Sequence, residues 1–329
     1  MKLRIQVLSI ALLLQCATSL WADEEQSPVH IVGVMEPRQI EYLLEQIEAR
    51  FPLVNATYKQ MREGQIISNI MSSAGSVPSI DIAIISDPGV GVRLANEGFL
   101  TPFPVLTNSM DGSHWRGEVL ALFYDSPVMV VRKGVFSPEE LPRGRLKLAH
   151  FLEKNKLRLS KRLGLINIGV DSQSYAYSTQ DLLRTPLFWR ISRAFGRLDS
   201  RIYENSGEVL EALQLGEIDI AYNIPLSQLA LGSQEGLTVF VPEDYAVSVP
   251  WVLVAPEHSR QVILQDIVGL LQELVEQQKF PNSAFWNLWS ELSLADSQRV
   301  NIGPELLVFL DPIKKTNILD SWFQMVTNQ

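Results

Sequence analysis

Apolar residues fill positions 29–34, and from residue 40 they recur as Ile40, Leu43, Leu44, Ile47 and Phe51 until Pro52 interrupts them. The first run predicts a strand, and the three-to-four spacing of the second predicts an amphipathic helix. Residues 56–61, followed by Ile66, Ile67, Ile70 and Met71, repeat the pattern. Positions 80–85 form a short apolar run, as expected of a strand buried on both faces. Strands alternating with helices predict a largely parallel sheet clad in helices. Such sheets bind ligands beyond the carboxyl ends of their strands. Two segments fall there: Gly33-Val34-Met35-Glu36 with Arg38 just beyond, and Ser86-Asp87-Pro88-Gly89. Glu36, Arg38, Ser86 and Asp87 are therefore candidate ligand residues.

Positions 119–131 are extended and apolar, contain Phe123-Tyr124-Asp125, and lead into a Pro-, Gly- and Lys/Arg-rich stretch at 137–147. That change predicts a crossing into a second lobe, with Tyr124 at its edge as a further candidate. Alternation resumes with a strand at 163–170, helices at 175–183 and 187–195, a short strand at 202–203, a helix at 209–215 and a strand at 218–222. A return crossing is expected within 237–253, then a helix over 262–275 and C-terminal helices on the first lobe around Phe285, Trp286, Trp289 and residues 306–310. The predicted architecture is α/β, with one lobe from residues 23–124 plus 250–329, a second from 125–249, and two mostly parallel sheets joined by two hinge strands. Hinged lobes close around ligands.

Residues 1–22 stand apart. Lys2 and Arg4 precede an apolar stretch at 5–14 and the small residues Ala17, Ser19 and Ala22, the order of a secretory signal peptide with cleavage expected after Ala22. Cys16, the one cysteine, would leave with it; Leu13-Leu14-Gln15 is a poor lipobox. Removing Lys2 and Arg4 changes the net charge from −9 to −11. A periplasmic, monomeric protein stabilised by its core rather than by disulfides is expected. The acidic balance, with no long basic run, argues against nucleic acid as a partner.

Asp171-Ser172-Gln173-Ser174-Tyr175 lies between a predicted strand and a predicted helix. Free N–H groups at a helix start, together with serine hydroxyls, suit an anion, although Asp171 or Ser172 serves equally well as a simple helix cap. The helix dipole contributes only about 0.3–1 kcal/mol, whereas micromolar binding needs about 8. Loops from both lobes would have to act together, which adds Tyr222 and Asn223 to the candidates. Catalytic motifs are missing: Leu94 stands where a dinucleotide loop beginning at Gly89 needs its third glycine, and the four histidines lack metal-ligand spacing. No enzyme activity, cofactor or metal is expected.

The order and spacing of Asp171 to Asp181, Phe188-Trp189, Tyr203, Glu208 to Glu211, Gly216-Glu217, Ile220 to Asn223, Pro242 to Tyr245, and the tail from Gly303 to Asp311 with Lys314, Lys315 and Trp322 resemble the periplasmic solute-binding proteins of ABC transporters. The similarity is to the group with ferric-iron, phosphoglycerate-regulatory and hexose-phosphate binding members. It implies a type II Venus-flytrap fold that delivers a small anionic solute to an ABC permease, with an extracytoplasmic sensor for a membrane histidine kinase as the alternative and a ferric-iron binder as a weaker one. It also implies that Ser172-Gln173-Ser174 hold the anion and that Tyr222 and Asn223 face the cleft. Two departures stand out: Gln173 replaces a small residue, and Ile224-Pro225-Leu226-Ser227 replaces the usual Gly-Ser-Tyr continuation.

Overall fold

The computed structural model describes residues 27–327, apart from 73–79, 104–110, 138, 258 and 260. The leader predicted at 1–22 lies outside the described residues. In the first lobe, β1 (Ser27–Gly33) pairs in parallel with β2 (Val54–Gln60) on one side and β3 (Ile82–Ile85) on the other. Helix α1 (Pro37–Arg50) connects β1 to β2; α2 (Glu63–Ser72) and α3 (Pro88–Asn96) follow β2 and β3. Pro37 and the reciprocal Glu36–Gln39 capping box start α1, which turns Ile40, Leu43 and Ile47 into the core. Each such burial contributes about 1.5–3 kcal/mol.

The extended run at 119–131 is two strands. β4 (His114–Trp115) pairs with β5 (Val119–Asp125), which belongs to the first sheet, and β6 (Pro127–Arg132) enters the second. The second lobe continues with α4 (Arg145–Lys154), α5 (Lys156–Leu159), β7 (Leu163–Ile166), α6 (Ser172–Arg184), α7 (Leu187–Arg197), β8 (Arg201–Tyr203), α8 (Ser206–Gln214), β9 (Ile220–Pro225), α9 (Leu226–Leu229) and β10 (Leu237–Phe240). β11 (Val247–Val254) returns to the first sheet between β3 and β5, and the short β12 (Gln298–Arg299) pairs with its start. The sheet orders are β2-β1-β3-β11-β5-β4 and β10-β6-β9-β7-β8. Both sheets are mixed: the strand-helix-strand units pair in parallel, whereas the strands that carry the chain between lobes run antiparallel to their neighbours, apart from the parallel pairing of β11 with the short β12.

The tail is expected on the first lobe, and α10 (Gln261–Glu276) packs there against α1 and β5. Helix α11 (Ser283–Glu291) lies between the lobes, with Phe285 on Phe123 of the first sheet and the helix against α9 of the second lobe, and the 3-10 turn Pro304–Phe309 lies against α3. The last helix, α12 (Pro312–Val326), departs from that expectation. It lies along α7 of the second lobe, where Ile318, Trp322 and Val326 are buried with Ile191 and Phe195. An apolar stripe on a helix does not say which of two lobes it covers. Gly196 allows the close approach, since a Cβ there would collide with the backbone carbonyl of Met325.

Candidate functional site

Two helix starts from opposite lobes meet at one carboxylate. Asp87 caps α3 by accepting from Gly89 N–H at 2.9 Å, and Asp171 caps α6 by accepting from Ser174 N–H at 2.6 Å. Between them lies the side chain of Glu63, the first residue of α2. It accepts from Ser86 Oγ at 2.9 Å and from Asp87 N–H at 3.1 Å, and the hydroxyl of Ser172 stands against it from the other lobe. Burial and the neighbouring Asp87 push the Glu63 carboxyl up to about 8, although the hydrogen bonds it accepts pull the other way. Asp87 is also raised by burial, while Lys315 and Arg93 favour its charged form. The free space beside Asp87, Tyr175, Thr179 and Leu306 is about 20 Å3, room for about one water.

A second node lies at the hinge. Asp125, the last residue of β5, has no exposed surface. Its Oδ1 accepts from the backbone N–H groups of Ser126 (2.9 Å) and Ser227 (3.2 Å), and its Oδ2 accepts from Ser227 Oγ (2.5 Å), Gln173 Nε2 (2.9 Å) and Trp251 Nε1 (3.3 Å). Gln173 also donates to the Tyr177 hydroxyl at 2.7 Å. Both departures from the family pattern, Gln173 and Ser227, therefore serve this buried carboxylate.

A third node braces the second lobe. The guanidinium of Arg145 donates to Asp181 at 2.7 Å, to Asp244 at 3.2 Å and to the Tyr245 carbonyl at 2.8 Å, and lies 3.4 Å from the Tyr245 ring centre. Tyr222 and Tyr245 donate their hydroxyls to Asp181 at 3.1 and 3.0 Å.

The predicted residues thus divide. Ser86, Asp87 and Ser172 come together around Glu63, and Gln173 goes to the hinge. Tyr222 does not face the cleft: it is packed on Phe195 inside the second lobe, its hydroxyl engaged by Asp181, and burial raises it far above its usual value. Ser174 and Asn223 line a cavity of about 20 Å3 in the same lobe, walled by Ile168, Phe188 and Trp322; Asn223 has φ +58°. Tyr124 pairs with Pro250 across the hinge strands and has Arg299 5.1 Å from its ring centre. Glu36 and Arg38 pair with each other at 2.8 Å, and Arg38 reaches the second lobe by donating to the Leu231 carbonyl at 3.2 Å. Sequence reasoning missed Glu63, Asp125, Arg145 and Asp181 as interacting groups. The placement of Glu63 at the carboxyl end of β2 was the one available signal for it. Among the described residues, no group of three His, Cys, Asp or Glu is arranged to hold a metal ion.

Solved structures with the same architecture have little sequence in common with this chain. The substrate-binding protein of an ABC transporter from Agrobacterium tumefaciens superposes with a TM-score of 0.80 at 19% identity, over 91% of this chain and 94% of that one. The fold is that of the periplasmic substrate-binding proteins. Iron-bound HitA from Pseudomonas aeruginosa (TM-score 0.62, 14% identity, 79% and 84% covered) and AfuA from Actinobacillus pleuropneumoniae with fructose-6-phosphate bound (0.62, 12%, 92% and 99%) share it. No protein-family model matches the sequence, and no curated protein matches it. Within the substrate-binding-protein fold, the Glu63 group occupies the junction where β3 and β7 direct α3 and α6 toward each other, at the strand ends where such sheets take ligands. No helix among the described residues is long and apolar enough to cross a membrane.

Proposed function

We propose that the protein is a periplasmic solute-binding protein that closes its lobes over a small anionic solute and delivers it to an ABC importer. One observation carries this reading: helix starts from the two lobes converge on a single carboxylate, Glu63, which is held by Ser86 and Asp87 of one lobe and faced by Ser172 of the other. Those donors are the set that a solute carboxylate or phosphate requires. Glu63, raised to about 8 and so holding its proton at neutral pH, fills the place of a solute carboxylate without its charge, and the anionic solute displaces it. Hydrogen bonds to a charged group contribute about 1.5–3 kcal/mol each, so three or four of them reach the 8 kcal/mol or so of a micromolar complex. Closure follows because the solute binds the closed arrangement better than the open one. The reading includes no chemical turnover. It ranks above iron capture because Tyr222 is engaged by Asp181 inside the second lobe.

A second reading is an extracytoplasmic subunit that reports to a membrane histidine kinase. It is favoured by the lobes already being held together by the chain's own Arg38, Glu63 and Gln173.

Thermal unfolding of residues 23–329 against sugar phosphates, phosphoglycerates, di- and tricarboxylates, inorganic phosphate and ferric citrate tests these readings. Ligand at about 100 times its Kd adds roughly 2.7 kcal/mol, a shift of a few degrees. A shift with a phosphorylated or carboxylated compound that is lost in Ser86→Ala and Ser172→Ala supports solute capture. A shift with ferric citrate alone favours iron, and no shift with any compound favours the sensor.

A further inference from the structure

The charge of this chain is unevenly distributed. Residues 132–201 hold 15 Lys and Arg against 6 Asp and Glu, a net +9, while the remainder carries −18. Much of the positive charge lies on the outer helices of the second lobe, where α4 packs on α7. Lys147, Lys154, Lys156, Lys161, Arg193 and Arg197 are all exposed there. None of the six forms an ion pair among the described residues. They form one surface: His150 and Arg197 both bear on Glu153 between them, and Lys161 N–H donates to the Leu198 carbonyl at 2.8 Å. Glu153 is neutralised by Arg190 at 2.7 Å and Glu140 by Arg158 at 3.3 Å, so that among the described residues Glu139 and Asp199 are the acids of this face without an ion pair.

A leucine projects from the middle of this charge. Leu157, between Lys156 and Arg158, is 98% exposed, and Leu146, next to Lys147, is half exposed. Leu157 contributes nothing to the core in that position. Cations surrounding a protruding aliphatic side chain match an anionic lipid interface, where the charges lie among the headgroups and the leucine reaches the acyl boundary. An acidic protein would satisfy the lysines but has no use for a lone, grooveless leucine, since protein hot spots are buried aromatic and arginine anchors.

We propose that the α4–α5–α7 face of the second lobe docks on an anionic phospholipid surface. This goes beyond solute capture: it holds the protein beside the membrane, with its acidic first lobe turned outward by repulsion. The test is co-sedimentation of residues 23–329, the form expected after export, with phosphatidylglycerol-containing vesicles and with pure phosphatidylcholine vesicles at low and high salt. Binding is expected to the anionic vesicles only, falling with salt. Combined Lys154→Glu, Lys156→Glu and Lys161→Glu should weaken it tenfold or more, at about fivefold per cation. Leu157→Ser should weaken it severalfold while leaving the salt slope unchanged. All four positions are exposed, and an unchanged unfolding midpoint confirms folding of the variants. Absence of binding to anionic vesicles, equal binding to neutral ones, or binding indifferent to the three reversals overturns the proposal. Retention on polyglutamate beads with Leu157→Ser indistinguishable from wild type on vesicles overturns it in favour of an acidic protein partner.

Discussion

Asp125 and Trp251 lie on the two strands that join the lobes, and the indole N–H of Trp251 donates to the Asp125 carboxylate at 3.3 Å. Residues of the second lobe, Gln173 and Ser227, hold the same carboxylate. Asp125 thus ties both crossings to the helix start that faces Glu63. If the lobes rotate about these strands, the donors from Gln173 and Ser227 must follow Asp125 or be lost, so the carboxylate is expected to favour the arrangement in which all of them meet it.

Asp125→Ala should leave five donors from four residues facing a carboxylate that is no longer there, at about 1–3 kcal/mol for a buried group deprived of its partner. Urea unfolding measures that loss. Small-angle scattering should show a larger radius of gyration than wild type, and an unchanged radius would argue against a role for Asp125 in closure.

Glu63 links stability to pH. Its folded carboxyl is raised to about 8, so between about 4.5 and 8 the native state holds a proton that the unfolded chain has released. Its stabilisation is therefore complete below the unfolded value and lost as pH rises through the folded one. Asp87, Asp125 and Asp171 are raised in the same direction by burial. Unfolding free energy should fall by about 1 kcal/mol per pH unit across this window, and Glu63→Gln should flatten much of that slope. A curve that rises with pH instead would refute the assignment.

Arg145 is buried with Asp181, and the pair holds α4, α6 and the segment before β11 together. Removing one partner strands the other charge. Arg145→Leu or Asp181→Leu should each cost about 3–5 kcal/mol, and the double variant less than the sum of the two. Chemical denaturation of the three proteins supplies the cycle.

At Gly196 a methyl group would meet the backbone of Met325. Gly196→Ala should displace α12 and destabilise by about 1–3 kcal/mol, the usual cost of overpacking, despite alanine's better helix propensity. Amide exchange should then rise in α12, whereas an unchanged exchange pattern would show that the contact is easily relieved.

Much of the architecture was legible in the sequence, because periodicity reports burial locally. Ile40, Leu43 and Ile47 mark one helix face whatever that helix packs against, and the apolar run of β3 declares itself buried on both sides. Composition and strand pattern pointed to a crossing within 119–131 and a return within 237–253, but not to the division of the first run into two strands at Ser126. A local signal also marked the start of α6, where Asp171 acts on an N–H three residues away; the helix behind Asp87, α3, was not anticipated, because Ser86 to Gly89 read only as a strand-end loop.

Tertiary structure decided what those starts face. The meeting of Glu63 with Ser172, of Asp125 with Gln173 and of Asp181 with Arg145 depends on how the two sheets approach, and no spacing along the chain encodes it. Tyr222 shows the limit: alternation places it on a strand, but only the packing of Phe195 and Asp181 turns its hydroxyl inward. The same holds for α12, whose apolar stripe fits either lobe until the close approach at Gly196 selects one. Sequence fixes which side chains seek burial or a partner; the fold fixes which partner, because that choice is made between groups far apart along the chain, 36 residues for Arg145 and Asp181, 48 for Asp125 and Gln173 and 193 for Arg38 and Leu231.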